Sequence, residues 1–266
     1  MISTITQSKF GKIALKFLKI ITVTAFWILV WEAASRIMSR NNELMLLILP
    51  SPVTVVERWL EVAFTKPYLE AVWGSFSRIF SGFLLGTALG GFLGVLTHLS
   101  RVADMFLSPA LRVIRAVPVI AISILLFLFF ESQALPVCIV CLMVMPLIWQ
   151  TVFDGLNNPD KSLLEMAKVY KLGRFKTFWF VKLPKVLPML LSSAVSALGL
   201  GFKSGIAAEV ISLPKKALGT TLWQSKGAVD FTEIYVVTLT VVILSLIIEF
   251  LLKGAVELAV KRGAEK

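Results

Sequence analysis

Lys203 and Glu209 raise the sharpest chemical question in this chain. Both lie in or beside an apolar run at 186–208, and a charge in hydrocarbon is costly unless it faces protein or water. Such residues either neutralise a charge on another helix or form the polar wall of a solute path. Six positions turn roughly 600° at 100° per residue, so the two do not share a face well. Lys203, the adjacent Ser204 and Glu209 are the candidate path residues, although Glu209 could simply reach the outer interface. Glu131, in the short FFESQALP connection, reads as interfacial.

Other patterns point to familiar chemistries but lack the necessary company. Cys138 and Cys141 form a CxxC on one helical face, in the middle of an apolar run. Zinc or redox work would need further ligands or an exposed thiolate. No second pair exists, and the single histidine, His98, lies at the end of another apolar run. GLGFKS (199–204) resembles a phosphate-binding loop, yet the G-x-x-x-x-G-K-[ST] spacing is absent and no strand precedes it. No Ser/His/Asp set and no paired carboxylates are apparent. The residues therefore imply no metal, no cofactor and no catalytic centre.

The elements that must position these residues are membrane helices. Of the 266 residues, 57% are hydrophobic and only 16% charged, where a soluble domain averages about 25% charged. A bilayer core needs roughly 20 apolar residues per helix, and residues 13–34, 76–99, 109–130, 135–153, 186–208 and 234–252 each come near that length. The expected architecture is all-α with six spans. The first run, preceded by Lys9, Lys12, Lys16 and Lys19, has the look of a cleaved leader, but its length and the five spans that follow favour a retained helix.

Lys and Arg counts orient the bundle, because basic residues resist translocation. One side carries 18 in the N-terminal segment, the 2–3 and 4–5 connections and the tail. The other carries 7: Arg36, Arg40, Arg58, Lys66, Lys215, Lys216 and Lys226. Both termini are thus expected in the cytoplasm. This asymmetry accounts for most of the net charge of +11, which is therefore weak evidence for a nucleic-acid partner. The expected division is 1–70 (N-terminal segment, first span and an outer amphipathic helix), 71–260 (membrane core) and 261–266 (cytoplasmic tail).

Within the outer segment, Ser51 can cap a short helix and Pro52 suits its first position. Val53, Val56, Leu60, Ala63 and Phe64 then share one face, with Glu57, Arg58 and Glu61 opposite, as in a helix lying along a membrane surface or against the bundle. SGFLLGTALGGFLG (81–94) and SSAVSALGLG (192–201) supply small residues that let membrane helices approach closely. Pro118, Pro136 and Pro146 fall in or at the ends of spans 3 and 4, where a proline frees a carbonyl and can kink the helix.

Between spans 4 and 5 lies EMAKVYKLGRFKTFWFVKLP (165–184), with five Lys/Arg and five aromatics. Basic residues near a membrane can bind lipid, and basic–aromatic mixtures can bind nucleic acid, but a cytoplasmic connection of this length offers no folded platform. It reads as two short helices, 160–172 and 174–181, broken at Gly173 and ending before Pro184. Held between two spans, they would press a shaped knob into a soluble partner.

That stretch resembles the EAA loop of ABC-importer permeases, E-A-A-x-x-x-G followed after nine residues by I-x-L-P. Glu165, Ala167, Val181, Leu183 and Pro184 fall in register; Met166 replaces the middle alanine, Lys171 takes the glycine position and Gly173 comes two residues later. LPSP (49–52), SPALRVIRAVPVIA (108–121) and AAEVIS (207–212) are similar to the nitrate/sulfonate/taurine-type permeases. The resemblance implies a type I importer permease fold in a bacterial inner membrane. It also implies a cytoplasmic ATPase dimer coupled through Glu165, Ala167, Gly173, Val181, Leu183 and Pro184, an external binding protein, and a second permease copy. Lys203 would then attract an anion such as a sulfonate or nitrate. A secondary transporter would need an inverted repeat and a carboxylate cluster, and a vitamin-type importer its own coupling motifs; neither is apparent.

Overall fold

A computed structural model describes residues 9–40 and 48–264, with side chains over 18–40, 48–160, 162–173 and 175–256. The first eight residues of the expected N-terminal segment, and Glu265 and Lys266 of the expected tail, lie outside the described residues. The chain divides into two compact units, Met1–Thr65 with Ser225–Val236, and Lys66–Gln224 with Val237–Lys266. Among the described residues every regular element is helical.

The first unit holds α1 (Lys9–Ser39) and α2 (Pro52–Val62). Over the described part of α1 large apolar side chains from Leu18 to Val30 are exposed, which suits a helix whose solvent is lipid. Trp31 Nε1 donates to the Pro50 carbonyl (3.0 Å) and Ser35 Oγ to the Leu49 carbonyl (2.8 Å), fixing the chain ahead of α2. Ser51 caps α2 as the sequence predicts, accepting the Thr54 N–H at 3.1 Å. The predicted apolar stripe is present but faces outward: Val53, Val56, Leu60 and Phe64 are exposed, whereas Pro52, Val55 and Ala63 are packed. Both stripes are apolar, so composition alone could not say which one the protein covers. An exposed apolar face is what a helix lying in a membrane interface presents.

The second unit is built on α3 (Lys66–Leu99), α6 (Ala134–Asn157) and α9 (Leu183–Ser212). Gly82, Gly86, Gly90 and Gly94 lie four apart on α3, opposite Val140, Val144, Ile148 and Val152 on α6. A Cβ on any of these glycines would come within 2.7–2.9 Å of the facing residue's Cβ. The small-residue run therefore serves close packing, with each branched side chain of α6 seated over a missing side chain of α3. Trp149, 2% exposed, satisfies its indole N–H on Thr97 Oγ1 at 3.0 Å, as a buried ring must.

Among the described residues five helical stretches are long and apolar enough to cross a bilayer: Leu18–Ser39, Lys66–Leu99, Ala134–Asn157, Phe175–Ser212 and Phe231–Val256. The expected third span, 109–130, is not one straight helix. α4 (Arg101–Ala116) meets α5 (Val119–Phe127) at a bend of 102°. Pro118 explains the break. Its ring disfavours helical geometry in the residue before it, and Val117 is extended at φ −74°, ψ 132°. α5 rises only about 13 Å, less than half a bilayer core. Arg112 and Arg115 consequently lie on the amphipathic α4 and not inside a continuous span.

Candidate functional site

The EAA-like stretch begins on α7 (Lys161–Val169), which starts at Asp160; its carboxylate accepts the Ser162 N–H (3.1 Å) and Oγ–H (2.9 Å). The helix ends in two crossed bonds. Leu172 N–H donates to the Ala167 carbonyl at 2.9 Å and Lys171 N–H to the Lys168 carbonyl at 3.0 Å. This pairing is the Schellman termination, which needs a left-handed residue just past the helix and usually takes glycine there. The left-handed residue is Lys171, at φ 51°. The pivot thus sits at the position where the EAA pattern expects glycine, although a lysine occupies it.

Gly173 is not the break. No glycine among the described residues has positive φ, and a Cβ on Gly173 would meet nothing within 4 Å. Its carbonyl instead accepts the Thr177 N–H (2.9 Å) and opens α8 (Arg174–Thr177). Nor does the second short helix stop before Pro184. It passes through a π-helical turn, Phe178–Lys182, directly into α9. Leu183 N–H reaches back to the Phe178 carbonyl, and widening the turn just ahead of Pro184 relieves the clash of its ring with the preceding turn.

Of the pattern residues, Ala167 and Val181 are buried, Leu183 is half-buried, and Glu165 and Pro184 are exposed. The two buried ones hold the segment to its own unit. Met166, Val169, Tyr170, Phe175 and Phe180 remain exposed, an apolar and aromatic surface of the kind that marks an interaction site.

The three candidate path residues separate. Lys203 is exposed and has no hydrogen-bond partner among the described residues. Ser204 is 2% exposed and donates to the Leu200 carbonyl of its own helix at 2.9 Å. Glu209 is fully buried and does not reach an interface. One of its oxygens accepts Arg78 Nε at 3.0 Å and Nη2 at 2.9 Å. The other accepts Ser75 Oγ at 2.7 Å and the Gly219 N–H at 3.1 Å. Arg78 spends its remaining donors on Gln133 Oε1 and the Lys216 carbonyl, each at 2.9 Å. The result is a neutral, saturated pair that ties the start of α3, the C-terminal end of α9, the residue before α6 and the start of α10 (Leu218–Gly227). The sequence reading passes over Arg78, although an arginine inside an apolar run is itself a signal that a partner exists.

The chain is 28% identical over 165 residues to the aliphatic sulfonates transport permease protein SsuC of Bacillus subtilis (strain 168), covering 62% of this chain and 60% of that protein. It is 29% identical over 219 residues to SsuC of Escherichia coli (strain K12), covering 82% and 80%. Its fold matches a chain of the inward-facing MetNI methionine ABC transporter with a TM-score of 0.60 at 20% identity, over 75% of this chain and 99% of that one. The sequence model for the binding-protein-dependent transport system inner membrane component matches residues 86–263. The chain thus belongs to that family, the permease subunits of ABC importers, which leave ATP hydrolysis to a separate ATPase.

Proposed function

We propose that two copies of this chain form the path of an inner-membrane importer for a small anion of the sulfonate type. An ATPase dimer docks on 165–184 and a binding protein delivers solute on the opposite side. The observation that carries the reading is the coupling segment. Its buried Ala167 and Val181 anchor it, its turn at Lys171 has the backbone form of a glycine, and its apolar and aromatic side chains point away from the unit. The excess of Lys and Arg in this connection supports a cytoplasmic position for it and for both termini.

For the path, Ser192, Ser196 and Lys203 fall within about 40° of one another on a helical wheel, and all three are exposed on α9. A polar stripe ending in an ammonium is unsuited to lipid and suited to an anion passing between two copies. Ser204, turned inward, supports the helix and does not line this face. The test is to purify the tagged chain with its ATPase, reconstitute it with the binding protein, and follow uptake of radiolabelled methanesulfonate. Lys203→Ala is expected to reduce uptake about tenfold or more, in the range of lost charge-assisted contacts, with the ATPase still bound. Unchanged uptake kinetics in that variant would reject the path assignment, and absence of a Walker-motif ATPase from the purified chain would reject the importer reading.

A further inference from the structure

The one histidine of the chain sits where three elements converge. His98, in the last turn of α3, has Nδ1 2.7 Å from Asn157 Oδ1 at the end of α6. Its Nε2 lies 2.9 Å from the ammonium of Lys182, in the π turn at the base of the coupling segment. Three residues on, Lys185 Nζ donates to the Asn158 carbonyl at 2.5 Å, so the same base also grips the junction between α6 and α7.

The partners decide the tautomer. An ammonium can only donate, so Nε2 presents its lone pair; Nδ1 then carries the proton and donates to Asn157 Oδ1. The chain of bonds runs Lys182 to His98 to Asn157 in one direction, and it requires a side chain with an acceptor at one end and a donor at the other.

We propose that His98 is a positioning residue for energy coupling: it fastens the base of the coupling segment to α3 and α6, so that displacement of the segment by the ATPase moves these helices together. This rests on the assignment of 165–184 as the ATPase-docking segment. Lys182 is thus held within the π turn, while Trp179 and Phe180 on that turn stay exposed.

The experiment uses the full permease–ATPase complex, isolated through a tag on this chain, with Cys138 and Cys141 replaced by alanine. Labelled chain, carrying spin labels at Phe92 of α3 and Lys176 of the coupling segment, is assembled with an excess of unlabelled chain so that both spins lie in one copy, and electron–electron distances are recorded without nucleotide and with ATP plus vanadate. In the parent the distribution is expected to stay single and narrow in both states. His98→Ala is expected to broaden it with nucleotide and to lower turnover-linked uptake of methanesulfonate by a factor in the roughly 5- to 150-fold range of coupling between sites. Lys182→Met should reproduce both effects, and adding it to His98→Ala should bring no further loss. His98→Gln, whose amide offers one donor and one acceptor, should restore the narrow distribution. Identical distributions in parent and His98→Ala would overturn the proposal, as would a glutamine variant no better than alanine, which would show that only ring packing matters. If His98→Ala does not fold, the Lys182→Met distribution decides on the same terms. Failure of the parent to retain an ATPase would instead overturn the docking assignment beneath it.

Discussion

The two ends of the permease core are fastened by opposite means. At one end Glu209 is fully buried and its two oxygens take four donors, while Arg78 reaches two further acceptors. At the other, segment 165–184 is joined by a few half-exposed polar contacts and two buried side chains, Ala167 and Val181, with aromatic side chains left bare. Opening a buried, fully paired network strands charges in a low dielectric, whereas half-exposed contacts can exchange for water at small cost. The first arrangement resists change; the second can follow a moving partner.

The largest effect that would break this contrast is expected at the closed end. Glu209→Ala leaves the Arg78 guanidinium, only 12% exposed, without its carboxylate and is expected to cost roughly 3–5 kcal/mol. Thermal unfolding in detergent should show it, and Arg78→Met/Glu209→Met together should recover much of the loss. An unchanged melting temperature for Glu209→Ala would mean that the pair contributes nothing to holding that end. Second in size, Gly86→Val sets a branched side chain where even a Cβ lies 2.9 Å from Val144 Cβ. Overpacking of that kind costs about 1–3 kcal/mol, against about nothing for Gly199→Val, since a Cβ there meets nothing within 4 Å.

At the open end the predicted changes act on binding more than on stability. Tyr170→Asp, on the bare surface, should strip the ATPase from the purified complex with the melting temperature of the free permease unchanged; retention of the ATPase would place the docking surface elsewhere. The smallest effect is a gain. Lys171→Gly removes the strain of a side chain at positive φ and is expected to add about 1 kcal/mol to local stability. Slower proteolysis of the loop would reveal it, while Gly173→Ala should leave proteolysis and coupling alone.

Much of this was legible in the residues themselves. The apolar runs other than 109–130, the cap at Ser51 and the close-packing glycine run of α3 are local or periodic features, and the structure keeps each of them. The turn was not legible, because Gly173 is the better left-handed residue by type and yet Lys171 takes that conformation. The bonds from Leu172 to Ala167 and from Lys171 to Lys168 are compatible with only one pivot, and Ala167 is buried against its own unit, so packing chose the register and accepted the strain.

Apolar run length alone settles the class of solvent and, to within the bend at Pro118, the number of crossing segments, while the resemblance of 165–184 to an EAA loop is what points to an ATPase partner. Which charges are spoken for depends on how distant helices pack. Lys203 and Glu209 look alike in an apolar run, but Glu209 closes on Arg78, distant by 131 positions, and Lys203 stays open. A charge in a membrane is settled by whichever helix brings it a counter-charge, and that is a property of packing, which no single stretch of residues carries.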